Sequence, residues 1–336
     1  MISLGLIGCG YWGPNILKVL LRQKNARVVR VADARSGRRE FIAREFPGLQ
    51  VCSDSSEVLR DPAIDAVVVA TPVTTHYEVG KAALEAGKHT FVEKPLARRA
   101  VEAREMAEIA ARTGRVLMAG HIFQYAPAVE ALSALCSDGS LKRIYYIDAV
   151  RMNMGPPQTE VDVLWDLGPH DTSIVCHLLG TNVLDVAATG VSYAWPGLID
   201  TAFITIRFSM GVQARVHLSW LSPYKVRRMH IAGQQGAILY DETDVTAKVR
   251  LFHHGVDSRI GAKDTDSIPL AYGQGRVTTP RLGSWEPLER EMGHFMECIE
   301  SGREPMSGPR LAVRVVEILE AASRSIAASG ALQTLA

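Results

Sequence analysis

The spacing of apolar residues predicts an α/β plus α+β chain in two parts. A doubly wound parallel sheet occupies roughly the first 120 residues, and a mostly antiparallel sheet with helices follows. Two observations carry this expectation. In the first part, short uninterrupted apolar runs alternate with longer stretches of helical period, as in strand-helix-strand units whose strands are covered on both faces. Beyond about residue 140 the period falls to two, which marks strands with one face buried and the other wet or partnered.

The expected parallel strands are Ile2 to Ile7, Val28 to Ala32, a weak one near Val51, Ala66 to Ala70, His89 to Val92 and Val116 to Ala119. Helical periodicity falls near 14–23, 36–46, 75–86 and 98–112. The third of these opens on Thr75-x-x-Glu78, a capping-box spacing, and stops at Gly87. In the second part, Ala202, Ile204, Ile206 and Phe208 alternate with mostly polar residues and Ser209-Met210-Gly211 turns the chain. Val212, Ala214, Val216 and Leu218 then alternate again, which predicts a hairpin. Met229 to Ile231 and Ala237 to Tyr240 form a second pair around Gly233 to Gly236. Helices are expected near 169–179, 286–300 and 309–328, and 255–285 reads as a long Gly-rich loop.

The length, 336 residues, is about 2.2 times a ~150-residue domain and excludes a single small module. Charge balance is 37 basic against 36 acidic residues, net +1, so no global field draws the chain to nucleic acid or to an anionic membrane. Cys9, Cys52, Cys136, Cys176 and Cys298 are scattered and odd in number, which argues against disulfides or structural zinc. With no basic leader and no apolar run near ~18 residues, the expectation is a cytoplasmic protein.

Gly8-Cys9-Gly10-Tyr11-Trp12-Gly13 is G-x-G-x-x-G set between the first apolar run and a helix opened by Pro14. There glycines allow a tight turn and the helix N-terminus offers free N–H groups to a pyrophosphate. Asp33 stands twenty residues past Gly13 at the end of the second run, placed to accept from ribose hydroxyls and to repel a 2′-phosphate. The cofactor expected is therefore NAD, with NADP second because Arg35 and Arg38 lie close by. Tyr11 and Trp12 either line the cofactor or pack on the first helix. Thr71, Pro72 and His76, after the fourth run, are placed with the cofactor as well, as are Glu93 and Lys94.

Glu93-Lys94-Pro95 follows the strand that ends at Val92, at the carboxyl edge where open α/β sheets bind ligands. A lysine there could donate to a substrate oxygen, or be an ordinary surface lysine. In Trp165-Asp166-Leu167-Gly168-Pro169-His170-Asp171, Pro169 suits a first helical turn, and the spacing of four lets Asp166 and His170 converge. The imidazole could take a hydroxyl proton, or Asp166 could be a cap and His170 incidental. His177 could share that face, but without a third ligand no metal site is assigned. His121 and Tyr125 are candidates for a pocket wall, as is Arg151. Trp165 could stack on the ring face of a ligand or fill the core.

The ordered set of G-x-G-x-x-G, Glu93-Lys94-Pro95, Gly120-His121 and Asp166-x-x-x-His170 resembles the Gfo/Idh/MocA family of NAD(P)-dependent oxidoreductases over nearly the whole chain. The resemblance implies a Rossmann domain at 1–122 and an open-faced, mostly antiparallel substrate-binding and oligomerisation domain at 123–336. The active site would lie between them, with the C-terminal helix able to pack back on the first domain. It implies Lys94 as catalytic lysine, Asp166 as substrate-orienting aspartate, His170 as general base and a cis peptide before Pro95. Residues 10–15, 120–129 and 163–171 look most like the branch of UDP-N-acetylglucosamine or UDP-N-acetylglucosaminuronate 3-dehydrogenases. Cyclitol dehydrogenases and 3-ketosugar reductases are the alternative. Partners implied are a small sugar, sugar nucleotide or cyclitol, and a further copy of the chain in a homodimer or homotetramer through the second sheet. A non-catalytic NAD sensor on the same scaffold is the reading of another class.

Overall fold

The computed structural model describes residues 1–155, 161–254 and 275–335. They fall into two compact units, residues 1–126 with 285–320, and residues 127–284 with 321–336.

The first unit holds a parallel sheet of β1 (Ile2–Ile7), β2 (Ala26–Ala32), β3 (Gln50–Cys52), β4 (Ala66–Val69), β5 (His89–Glu93) and β6 (Leu117–Gly120). The order is β3-β2-β1-β4-β5-β6, so the winding reverses between β1 and β4, and ligands of such sheets bind at the carboxyl edge there. The connecting helices are α1 (Gly13–Leu20), α2 (Ser36–Glu45), α3 (Ser56–Leu59), α4 (His76–Glu85) and α5 (Ala100–Thr113). Every residue of β4 is buried, as an apolar run in a doubly covered sheet requires. The expected capping box at Thr75 does not form. Residues 73–75 make a 3₁₀ turn, and the Thr75 hydroxyl donates to the Pro72 carbonyl at 2.9 Å instead.

The second unit begins with α6 (Pro127–Ser137) and carries β7 (Ile144–Met152), α7 (Val163–Leu179), β8 (Val183–Val191), β9 (Thr201–Phe208), β10 (Gln213–Ser219), β11 (Val226–Gly233), β12 (Ala237–Asp241), β13 (Val249–Phe252), β14 (Val277–Thr278) and, near the C-terminus, β15 (Gln333–Thr334). Among the described residues these form one sheet, β14-β13-β12-β11-β7-β10-β9-β8-β15, antiparallel except between β7 and β10. Both expected hairpins are present, with Ile204 opposite Val216 and Ile231 opposite Ile238. Helix α7 packs on β9 and β10. The alternate residues of these strands stay at the surface, where Phe203 stacks on His217 at 4.3 Å and Tyr146 lies 5.7 Å from His230. Helices α8 (Pro287–Ser301) and α9 (Pro309–Ala327) follow, with α8 in the first unit. The long loop read at 255–285 lies outside the described residues up to 274, as does part of the stretch between Arg151 and Asp162.

One helix departs from its expected bounds. α7 starts at Val163, not at Pro169, because the Asp162 carboxylate caps it by accepting from the Trp165 N–H at 3.1 Å. Pro169 then sits inside the helix, and the Asp166 to His170 spacing is one intact helical turn.

Candidate functional site

The glycine turn joins β1 to α1. Gly8 takes φ +87°, and a Cβ there would come within 2.7 Å of the Ala70 carbonyl and the Thr71 nitrogen, so only glycine lets this turn approach the end of β4. Helix α1 opens with Pro14 in its first turn and no side-chain cap at Trp12. Asp33 is buried at the end of β2. Its carboxylate accepts from the Cys9 N–H at 2.8 Å, the Arg35 N–H at 3.0 Å and Arg35 Nε at 3.3 Å. Burial alone would raise its pKa, but these donors together hold it below the ordinary aspartate value. Arg38 donates to the Cys9 and Gly10 carbonyls at 2.7 and 2.8 Å, so it braces the turn. Tyr11 is 96% exposed and does not pack on α1. The Thr71 hydroxyl oxygen is enclosed and has no hydrogen-bond partner among the described residues.

At the end of β5 the Lys94–Pro95 peptide is cis. His76 is buried and spans two turns, with Nδ1 2.8 Å from the Pro95 carbonyl and Nε2 2.9 Å from the Thr71 carbonyl. Burial pushes its pKa below the ordinary histidine value, the two carbonyls oppose this, and nearby Lys94 adds to it. The Glu93 side chain occupies the space left by the missing Cβ of Gly120, which would lie 3.0 Å from Glu93 Oε2. That oxygen accepts from the Lys94 N–H at 3.2 Å. Burial pushes the Glu93 carboxyl up to about 7, while Lys94 and the Trp12 indole pull the other way. His121 is buried at the end of β6, and burial, with Lys94 adding, drives it down to about 3. Neither of its ring nitrogens has a partner among the described residues. Tyr125 is buried too, its hydroxyl 3.2 Å from Ser307 Oγ, so it offers no surface to a ligand.

In the second unit Asp166 and His170 lie four residues apart on α7, both partly exposed. Trp220, beyond the end of β10, donates from its indole nitrogen to Asp166 Oδ2 at 3.1 Å and meets Trp195 edge-on. Trp165 donates to Ser323 Oγ at 3.0 Å. Arg151 is 1% exposed and grips Asp171 through Nε to Oδ2 at 2.5 Å and a second bond at 3.2 Å, so it lies in the interior beneath α7, away from any ligand surface. Asp171, nine residues past the Asp162 cap, serves this pair and not the helix N-terminus.

A family model described as an NAD-binding Rossmann-fold oxidoreductase family matches residues 2–121, and the Gfo/Idh/MocA C-terminal domain matches residues 129–239. The chain is 30% identical over 314 residues to scyllo-inositol 2-dehydrogenase (NAD(+)) of Bacillus subtilis, covering 90% of this chain and 86% of that one. The chain belongs to the Gfo/Idh/MocA oxidoreductase family. Inositol 2-dehydrogenase 2 of Saccharopolyspora erythraea is 30% identical over 272 residues, 78% of this chain and 79% of that one. The solved UDP-N-acetylglucosamine 3-dehydrogenase GnnA of Acidithiobacillus ferrooxidans shares the fold, with a TM-score of 0.83 at 24% identity over 97% of this chain and 98% of that one.

The cofactor of this Gfo/Idh/MocA chain is NAD, and its residues suit one. The glycine turn, the α1 N-terminus without a side-chain cap, the Asp33 carboxylate and the partnerless Thr71 hydroxyl all belong to the β1-β2-β4 edge where the winding reverses. Two residues escaped the motif reading. Trp220 continues the inward alternation of Val216 and Leu218. Glu291 interrupts the apolar stripe of Leu288, Met292 and Phe295 on α8.

Proposed function

We propose that the chain is an NAD-dependent dehydrogenase of ring hydroxyls on sugars or cyclitols, with Lys94, Asp166 and His170 as its catalytic residues. The observation that supports it most is the pairing of Asp166 and His170 one turn apart on α7, with Trp220 fixing Asp166. In this reading His170 takes the proton of a ring hydroxyl, Lys94 donates to the same oxygen and stabilises its alkoxide character, and Asp166 holds the ring's orientation. NAD, when bound, supplies the hydride acceptor at the nicotinamide. Ketone reduction uses the same groups in reverse. Trp165 completes the substrate side, and Thr71, Pro72 and Glu93 the cofactor side, whereas His121 and His76 are buried, His76 with both ring nitrogens against backbone carbonyls, and they support the site from within.

Among substrates, the inositol dehydrogenase names of the 30% identical relatives favour a cyclitol. The 3-dehydrogenase reading for a sugar nucleotide rests on residues 10–15, 120–129 and 163–171 alone. Purified protein with NAD is offered inositols, aminocyclitols, free hexoses and UDP-sugars, and reduced nicotinamide is followed by absorbance. His170→Ala should lower kcat by at least about 10²-fold with NAD affinity unchanged. Equal losses in both would refute the base role.

The surface side of β7, β9 and β10, carrying Tyr146 and Phe203, supports pairing with a second copy as a homodimer or homotetramer. A monomeric mass in sedimentation at micromolar concentration would exclude it.

A further inference from the structure

Helix α8 sends Leu288, Met292, Phe295 and Met296 into the core of the first unit, and Glu291, 1% exposed, lies in the same stripe. Phe295 meets Phe91 of β5 edge-on at 5.8 Å. Glu93 leaves β5 on the same face as Phe91, two residues on, and Glu291 leaves α8 on the same face as Phe295, one turn back. The aromatic contact therefore sets the two carboxyls toward each other in an apolar interior. Glu291 Oε1 has no hydrogen-bond partner among the described residues.

With Glu291 buried and Glu93 half-buried, two adjacent carboxylates are too costly to coexist at neutral pH, so the pair must hold a proton. Their surroundings decide where it sits. Glu93 has the Lys94 N–H, the Lys94 charge and the Trp12 indole. Glu291 faces Glu93 and the negative charge of Glu286, and from the neighbouring segment the phenol of Tyr125. His121, near Lys94, is neutral, and His294 faces Tyr125 at 5.6 Å and Glu297 at 3.9 Å. The negative charge thus belongs to Glu93 and the proton to Glu291.

We propose that Glu291 is a positioning residue, a buried carboxylic acid that shares one negative charge with Glu93 and so keeps the Glu93 carboxylate turned to the backbone of Lys94. Burial and the Glu93 charge push the Glu291 carboxyl well above the ordinary range, in the direction this requires. No bond is made or broken: one proton and one charge stay within the pair. The consequence for turnover rests on the reading of Lys94 as the oxygen-holding group, but the protonation state does not.

Infrared spectroscopy of the NAD-bound protein near pH 7.5 tests it. The wild type should show the carbonyl stretch of a protonated carboxylic acid, and Glu291→Gln, which keeps the size and a donor N–H, should lose it. In kinetics Glu291→Gln should hold kcat within about twofold, whereas Glu291→Leu, without a donor, should lose about tenfold in kcat. An acid band that persists in Glu291→Gln, or a leucine variant as active as the glutamine one, overturns the proposal. Should the leucine variant fail to fold, the infrared comparison decides alone. Full activity in Lys94→Ala would remove the lysine reading and leave the band untouched.

Discussion

Replacing His121 by glutamine should flatten the acid side of the stability curve. The imidazole is 1% exposed and its pKa falls from 6.5 to about 3 on folding, through burial first and the Lys94 charge second. Below 6.5 the unfolded chain takes up a proton that the folded protein refuses, so stability is undiminished above that pH and is lost as pH falls. At pH 5 the unfolded ring is about 1.5 units below its pKa while the folded ring is still neutral, which costs about 2 kcal/mol relative to pH 7.5. The replacement amide cannot titrate. Urea unfolding of wild type and His121→Gln at both pH values gives four midpoints. The wild type should lose about 2 kcal/mol more than the variant between them, whatever the variant's constant offset. Equal losses would mean that the ring protonates in the folded state and that its surroundings beside Lys94 do not exclude the charge.

Gly8→Ala places a methyl against the Ala70 carbonyl at positive φ and should cost more than about 1 kcal/mol in urea and at least tenfold in NAD affinity, read by titration. Trp220→Phe removes the donor to Asp166 and should lower kcat about 3- to 10-fold while the NAD dissociation constant stays put. His76→Ala removes the buried ring and the one N–H that a neutral imidazole donates to the Thr71 or the Pro95 carbonyl, and the urea midpoint should fall by an amount equal to about 1–3 kcal/mol.

The parallel sheet was legible because doubly covered strands read as unbroken apolar runs, and both hairpins because alternation survives in Ala202 to Phe208 and Val212 to Leu218. Strands β7 and β8 were not. Arg151 on the buried side of β7, and Tyr146 and Val150 on the other, spoil a simple alternation, and its register is set by β10 and β11, whose paired residues lie 67 to 89 residues on in sequence. The start of α7 was missed for a local reason, since Pro169 carries a stronger helix-start signal than Asp162, yet the Asp162 cap prevails. Of the site, the glycine turn and Asp33 were legible as spacing. The roles of Arg151, Tyr125 and Glu291 were not, because whether a polar side chain faces a ligand or the interior is decided by partners distant in the chain, such as Asp171 and Ser307.

The two units show the same economy of charge beside each group read as reactive. Arg151 and Asp171 are buried and paired, and Asp171 immediately follows His170. Glu93 immediately precedes Lys94 and accepts from its N–H. The Arg151–Asp171 pair is not a strong source of stability, since a buried ion pair is commonly no better than well-packed hydrocarbon of equal volume, while loss of one member costs about 3–5 kcal/mol. Their common property is direction. A bidentate Arg151–Asp171 pair fixes the azimuth of α7 over β7 at the residue next to His170, and the Glu93 carboxylate fixes the Lys94 backbone through its N–H. Apolar replacements could fill either volume but could not hold one rotation against another, which is what the roles proposed for His170 and Lys94 require.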